Sequence, residues 1–171
     1  MMPAHPDRRC FLAALALPLS LTACGFQLRK APDFAFDHIY IAMPENSTLG
    51  NELKRQIAAS GKVTVVKDAR QISAAQVVLD SLLDQREKVV VGLTTSGQVR
   101  EFQLRVRFRF QLRDQAGKLL IPVTELLQQR DISYNESAAL AKEAEEQLLY
   151  RDMQSDIVQQ LMRRLAALRE L

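Results

Sequence analysis

Arg105, Arg107 and Arg109 lie two residues apart, with Arg113 further along the same alternation and Arg100 just before it. On an extended strand, side chains two positions apart share a face and stand about 6.6 to 7 Å from one another. Guanidinium groups in such a row suit several anionic groups on one extended ligand, because each planar fork pairs bidentately with a phosphate. A solvated sheet face above a half-buried antiparallel strand produces the same alternation. On sequence, both readings stand.

Other chemistry is poorly supplied. The chain has two histidines, His5 and His38, and two cysteines, Cys10 and Cys24. Removal of an N-terminal leader would leave one of each, too few for a Cys/His metal centre or an internal disulfide. His38 reads as a polar residue flanking a strand. No histidine-carboxylate-nucleophile set and no glycine-rich phosphate loop is present. Glu143, Glu145 and Glu146, beside Lys142 and Arg151, read as a solvated helix face rather than paired catalytic carboxylates. The expectation is a protein that is not an enzyme and holds no metal or dissociable cofactor. With 23 basic and 20 acidic residues, the net charge of +3 is too mild to point to nucleic acid.

The N-terminus reads as an export signal. Arg8 and Arg9 precede an apolar stretch from Phe11 to Leu21, broken only by Pro18 and Ser20, and small residues follow. A membrane-spanning helix needs about 20 apolar residues, and this stretch is about half that. Leu21-Thr22-Ala23-Cys24 resembles the lipobox of bacterial lipoproteins. The resemblance implies cleavage before Cys24, a diacylglycerol thioether on its sulfur and an acyl group on the new amine. Several chains make a stable anchor where one is marginal. Gly25 stands where inner-membrane lipoproteins of many Gram-negative bacteria carry Asp, so the pattern resembles outer-membrane sorting. Arg8-Arg9-Cys10-Phe11-Leu12 also looks like a twin-arginine signal, and the export route stays open.

The elements that position these residues follow from periodicity. A short apolar strand around Ile39 to Met43 ends at Pro44, and Asn46-Ser47-Thr48 offers a helix N-cap. Leu49, Leu53 and Ile57 recur every four residues on one helical face, with Gly61 at the C-terminal stop. Val63 to Val66 is a second strand, parallel to the first across the helix. Val77 to Leu83 and Val89 to Leu93 form one long or bulged strand, and Thr94-Thr95-Ser96-Gly97 turns it into Val99 to Arg113. There the alternation is unbroken: Phe102, Leu104, Val106, Phe108, Phe110 and Leu112 on one face, polar and arginine residues on the other. Asp114-Gln115-Ala116-Gly117 leads to a last strand, Leu119 to Ile132, interrupted at Pro122. Ala138 to Arg169 lacks Gly and Pro and carries Tyr150, Met153, Ile157, Leu161, Leu165 and Leu168 at helical spacing, capped by Asn135 or Ser137. Its length, 45 to 50 Å at about 1.5 Å per residue, exceeds what a small sheet covers, so a kink or a projecting end is expected.

The predicted class is α+β. Its architecture is a two-layer α/β sandwich with a mixed four- to five-stranded sheet and two helices packed on one face, in the order β-α-β-β-β-(β)-α. The chain divides into a lipoprotein signal peptide (1–23), a lipidated lead (24–36) and a single domain (37–171).

Three segments carry a family resemblance. Cys24-Gly25-Phe26-Gln27-Leu28-Arg29, Gly97-Gln98-Val99-Arg100-Glu101-Phe102-Gln103-Leu104, and Leu140-Ala141-Lys142-Glu143-Ala144-Glu145-Glu146-Gln147-Leu148-Leu149-Tyr150-Arg151-Asp152-Met153 together resemble the LptE family of lipopolysaccharide-assembly lipoproteins. The resemblance implies an outer-membrane lipoprotein on the periplasmic side, bound within the LptD β-barrel as plug and assembly factor, and binding lipopolysaccharide. Lys142 matches a basic position the family uses toward lipopolysaccharide. A second basic position falls here on Thr95, and Arg100, just beyond the turn, is the substitute. Lys142, Arg100, Arg105, Arg107 and Arg109 are therefore the candidate lipopolysaccharide-binding residues. A peptidoglycan-binding lipoprotein without catalysis is the rival class, but no segment resembles the peptidoglycan-binding helix of the OmpA-like family.

Overall fold

The computed structural model describes residues 32–171. The signal segment, Cys24 and the lead up to residue 31 lie outside the described residues. Strand β1 (His38–Ala42) buries Ile39 and Ile41. Helix α1 (Thr48–Ala59) then starts at Ser47, whose hydroxyl accepts from the Gly50 amide at 3.0 Å. That bond satisfies one of the amides a helix start leaves unpaired. Leu49, Leu53 and Ile57 are fully buried, as their spacing predicts. Gly61, just past the helix, adopts φ +75, the left-handed conformation that glycine takes without a Cβ clash.

Strand β2 (Thr64–Val66) runs parallel to β1, and a short 3-10 stretch (Ala69–Ala74), not anticipated from periodicity, leads into β3 (Val77–Leu93). Strands β4 (Val99–Asp114) and β5 (Leu119–Ser133) complete an antiparallel meander. The sheet is five-stranded and mixed, in the order β2-β1-β3-β4-β5, with β1 parallel to both of its neighbours. The α+β sandwich expected from the pattern is the fold found.

The alternation in β4 decides which face is covered. Leu104, Val106, Phe108, Phe110 and Leu112 are all fully buried and join one core with residues of both helices, while Arg105, Arg107 and Arg113 lie half-buried on the opposite face. Register irregularities punctuate the neighbouring strands. In β3 an extra residue at Leu82 lies between the pairs Ser81–Phe110 and Leu83–Arg109. The insertion flips the parity of the strand. Val77 and Leu79 face the core before it, and Arg86 and Lys88 face the helices after it, opposite Val106 and Leu104. In β5 irregularities fall at Leu120, between the partners Leu119 and Ile121, and at Pro122 and Val123, between Ile121 and Thr124. An edge strand tolerates a proline there because its missing N–H would face outward or sit in a bulge.

Helix α2 (Ala139–Ala166) spans about 42 Å at 1.5 Å per residue. Its buried residues begin only at Tyr150 and run to Leu165. The first eleven residues contribute no fully buried side chain, and Leu140 and Leu148 are exposed. The overhang expected from its length is therefore its N-terminal end. Asn135 caps the preceding 3-10 turn (Glu136–Ala138) by accepting from the Ser137 amide, whereas α2 itself starts at Ala138 without a side-chain cap.

Candidate anion-binding site

The N-terminal part of α2 lies beside the distal ends of β3, β4 and β5. Lys88, Phe102, Ile132, Ser133, Tyr134, Lys142, Glu143 and Glu146 enclose a cavity of about 140 Å³ there. The bulge at Leu82 sets Lys88 on the helix side of the sheet, where its ammonium sits 4.3 Å from the Phe102 ring centre. A cation over an aromatic face gains electrostatically from the ring quadrupole. Phe102 in turn meets Tyr134 edge to face, with ring centres 5.4 Å apart. Tyr134 is anchored by its backbone amide, which donates to the Arg100 carbonyl at 2.7 Å.

Both lysines are engaged by carboxylates. Lys88 Nζ donates to Glu146 Oε2 at 2.6 Å, and Lys142 Nζ donates to Glu145 Oε2 at 2.9 Å and to Ser133 Oγ at 3.1 Å. Glu146 is not on a solvated face: its side chain is only 16% exposed. Four residues further along the helix, the Tyr150 hydroxyl donates to the Glu87 carbonyl at 2.7 Å. Burial pushes the Tyr150 phenol above its ordinary pKa, Glu146 and Glu87 reinforce the rise, and Arg86, 5.4 Å from the ring centre, opposes it. The phenol thus stays a neutral donor that ties the last turn of the overhang to β3. The cavity thus sets two ammonium groups, each paired with a carboxylate, beside aromatic surface.

The arginine row has a different environment. Arg105 lies 3.9 Å from Glu87, Arg107 3.6 Å from Glu125 and Arg113 2.8 Å from Asp80. Arg105 also donates to Gln103 at 2.8 Å, and Gln103 donates to Asp131 at 3.0 Å. The outer sheet face is therefore a mesh of cross-strand pairs rather than a free cationic strip. Arg109 is exposed and, among the described residues, forms no ion pair, because Glu125 directly opposite it leans toward Arg107. Arg100 is likewise exposed, just beyond the hairpin turn. Thr95 lies exposed in the turn, and Arg151 and Asp152 are exposed on α2. The fold brings Lys142 together with none of the row, which occupies the other face of β4. It brings Lys142 together with Lys88, Phe102 and Tyr134 instead. Sequence periodicity could not nominate Lys88, because the bulge before it hides which face it takes.

The comparisons with known proteins bear on this arrangement. A family model described as LptE, Lipopolysaccharide-assembly, matches residues 36–165, from just before β1 almost to the end of α2. The chain belongs to the LptE family. Both the lysine cavity and the arginine row lie inside the LptE match, and Cys24 lies outside it. The solution NMR structure of an uncharacterized lipoprotein B from Nitrosomonas europaea is 35% identical with a TM-score of 0.70, covering 84% of this chain and 91% of that one. The crystal structure of the rare lipoprotein B from Shewanella oneidensis is 21% identical with a TM-score of 0.61, covering 77% and 95%. A minor lipoprotein from Acinetobacter baumannii is 21% identical with a TM-score of 0.61, covering 79% and 94%. The latter two share the fold. No curated protein sequence matches the chain. LptE membership assigns the protein to lipopolysaccharide assembly.

Proposed function

We propose that this LptE-family chain is a non-catalytic outer-membrane lipoprotein that binds lipopolysaccharide and complexes with an LptD-like β-barrel as its plug and assembly factor. Residues 1–23 are its signal peptide, Cys24 carries the diacylglycerol and N-acyl lipid, and the folded domain faces the periplasm. The observation that carries this reading is Lys142, a basic position matching the family's, seated at a cavity with a second lysine and two aromatic rings. Ammonium groups beside apolar surface fit a glycolipid whose phosphates adjoin acyl chains. The lipid supplies local concentration and leaves the binding surface to the domain.

Affinity purification of the full-length lipoprotein from detergent-solubilised outer membrane tests the partner. Recovery of a β-barrel protein with it supports the plug reading, and retention with the cell wall without a barrel overturns it. Metabolic labelling with a fatty acid tests the anchor: the wild type should take up label and Cys24→Ala should not.

A further inference from the structure

Both ammonium groups at the cavity are already paired before any ligand arrives, and a third carboxylate, Glu143, also lines it. Glu146 reaches Lys88 at 2.6 Å with only 16% of its side chain exposed, and Glu145 reaches Lys142 at 2.9 Å. The two contacts differ in kind. Lys142 and Glu145 sit on one helix three residues apart, a local pairing whose carboxylate is 48% exposed. Lys88 and Glu146 join β3 to the overhang of α2, at a point where no fully buried apolar side chain holds the helix down. A carboxylate and a phosphate oxygen compete for the same ammonium protons, and Glu146, less exposed than Glu145, is the stronger of the two competitors. Lys88 is also fixed over the Phe102 ring, so its ammonium cannot turn away from the cavity without losing that contact. The volume, about 140 Å³, has room for one tetrahedral anion in place of a few waters.

We infer that this cavity is a phosphomonoester site in which Lys88 is the principal ligand and Glu146 is a built-in competitor, an internal carboxylate that an incoming phosphate must displace. The inference rests on the lipopolysaccharide-binding reading and adds to it the second lysine and the residue that tunes it. Such a competitor lowers affinity for free phosphate while leaving room for a ligand that brings further apolar contacts. The sign is opposite to that of a structural ion pair: removing Glu146 should improve binding.

The test titrates the folded domain with inorganic phosphate, with purified lipopolysaccharide and with the same lipopolysaccharide after enzymatic dephosphorylation, at low salt. Glu146→Gln should tighten inorganic phosphate and intact lipopolysaccharide by at least fivefold. Glu143→Gln, which removes a charge from the same cavity rim without releasing a lysine, should change either by less than twofold. The double variant Lys88→Gln/Glu146→Gln should lose the gain, and dephosphorylated lipopolysaccharide should show none. Equal gains from Glu143→Gln and Glu146→Gln, a gain surviving in the double variant, or no gain at all would each overturn the inference. A gain for phosphate but no binding of intact lipopolysaccharide by any variant would support the phosphate site and overturn the lipopolysaccharide reading instead.

Discussion

The guanidinium of Arg86 on β3 donates to the side-chain oxygen of Gln154 on α2 at 2.6 Å. The same guanidinium donates to the Thr48 hydroxyl at 3.0 Å, Thr48 donates to Gln154 at 2.7 Å, and the Gln154 amide donates to Glu52 at 3.1 Å. One side chain thereby ties the sheet to both helices. Gln154 is the buried polar residue among the described core positions, and it is acceptable there because both ends of its amide are used.

Gln154→Ala should destabilise the domain by about 0.5 to 1.5 kcal/mol, because it removes the acceptor shared by Arg86 and Thr48 and the donor to Glu52. Urea unfolding followed by circular dichroism measures this. The loss in Arg86→Gln combined with Gln154→Ala should fall short of the sum of the single losses, since both act on one network.

Phe108 and Phe110 are fully buried on β4 and stack with ring centres 5.8 Å apart. Phe108→Ala removes a large side chain from under both helices and should cost about 3 to 5 kcal/mol. A thermal unfolding midpoint within a few degrees of wild type would contradict the core position given to this residue.

Asp80 supplies a pH dependence. Burial raises its carboxyl pKa, but hydrogen bonds from Arg113 and Gln111 together with the Arg113 charge outweigh burial, so the net shift is downward. A lowered folded-state pKa adds stability that is fully present above the unfolded value of about 3.9 and is lost as the pH falls through the folded value. The stability difference between wild type and Asp80→Asn should therefore be largest near neutral pH and shrink in strong acid. Denaturant titrations at pH 7, 4 and 2.5 would show it, and a difference independent of pH would count against the assignment.

Arg109 separates the two readings of the arginine row. Exposed and without an ion pair among the described residues, it should accept Arg109→Glu at a cost of about 0.2 to 1 kcal/mol, the repulsion of a like charge placed directly opposite Glu125. If the outer face takes part in binding, that variant should weaken lipopolysaccharide binding more than Arg113→Gln does, since Asp80 already occupies Arg113. The loss should shrink as salt is raised. Equal affinities for Arg109→Glu and wild type would leave the row as a solvated face and the lysine cavity as the site.

The sequence alone determined what depends on near neighbours. The strict alternation from Phe102 to Leu112 set the faces of β4, because a one-residue slip would have buried its arginines. Leu49, Leu53 and Ile57 set the buried side of α1, Asn46-Ser47-Thr48 the region of its start and Gly61 its end. Each of these rests on a period of two or 3.6 residues, or on a capping bond spanning three positions, all written within one segment. Only the tertiary structure decided which distant charges meet. Lys88 faces Glu146 because β3 carries one extra residue at Leu82, and a bulge reverses side-chain parity without leaving a periodic trace. Likewise Lys142 lies beside Ser133 and Phe102 rather than the arginine row. The helix packs on the face of β4 that the arginines do not occupy, and that choice belongs to the burial of the whole core.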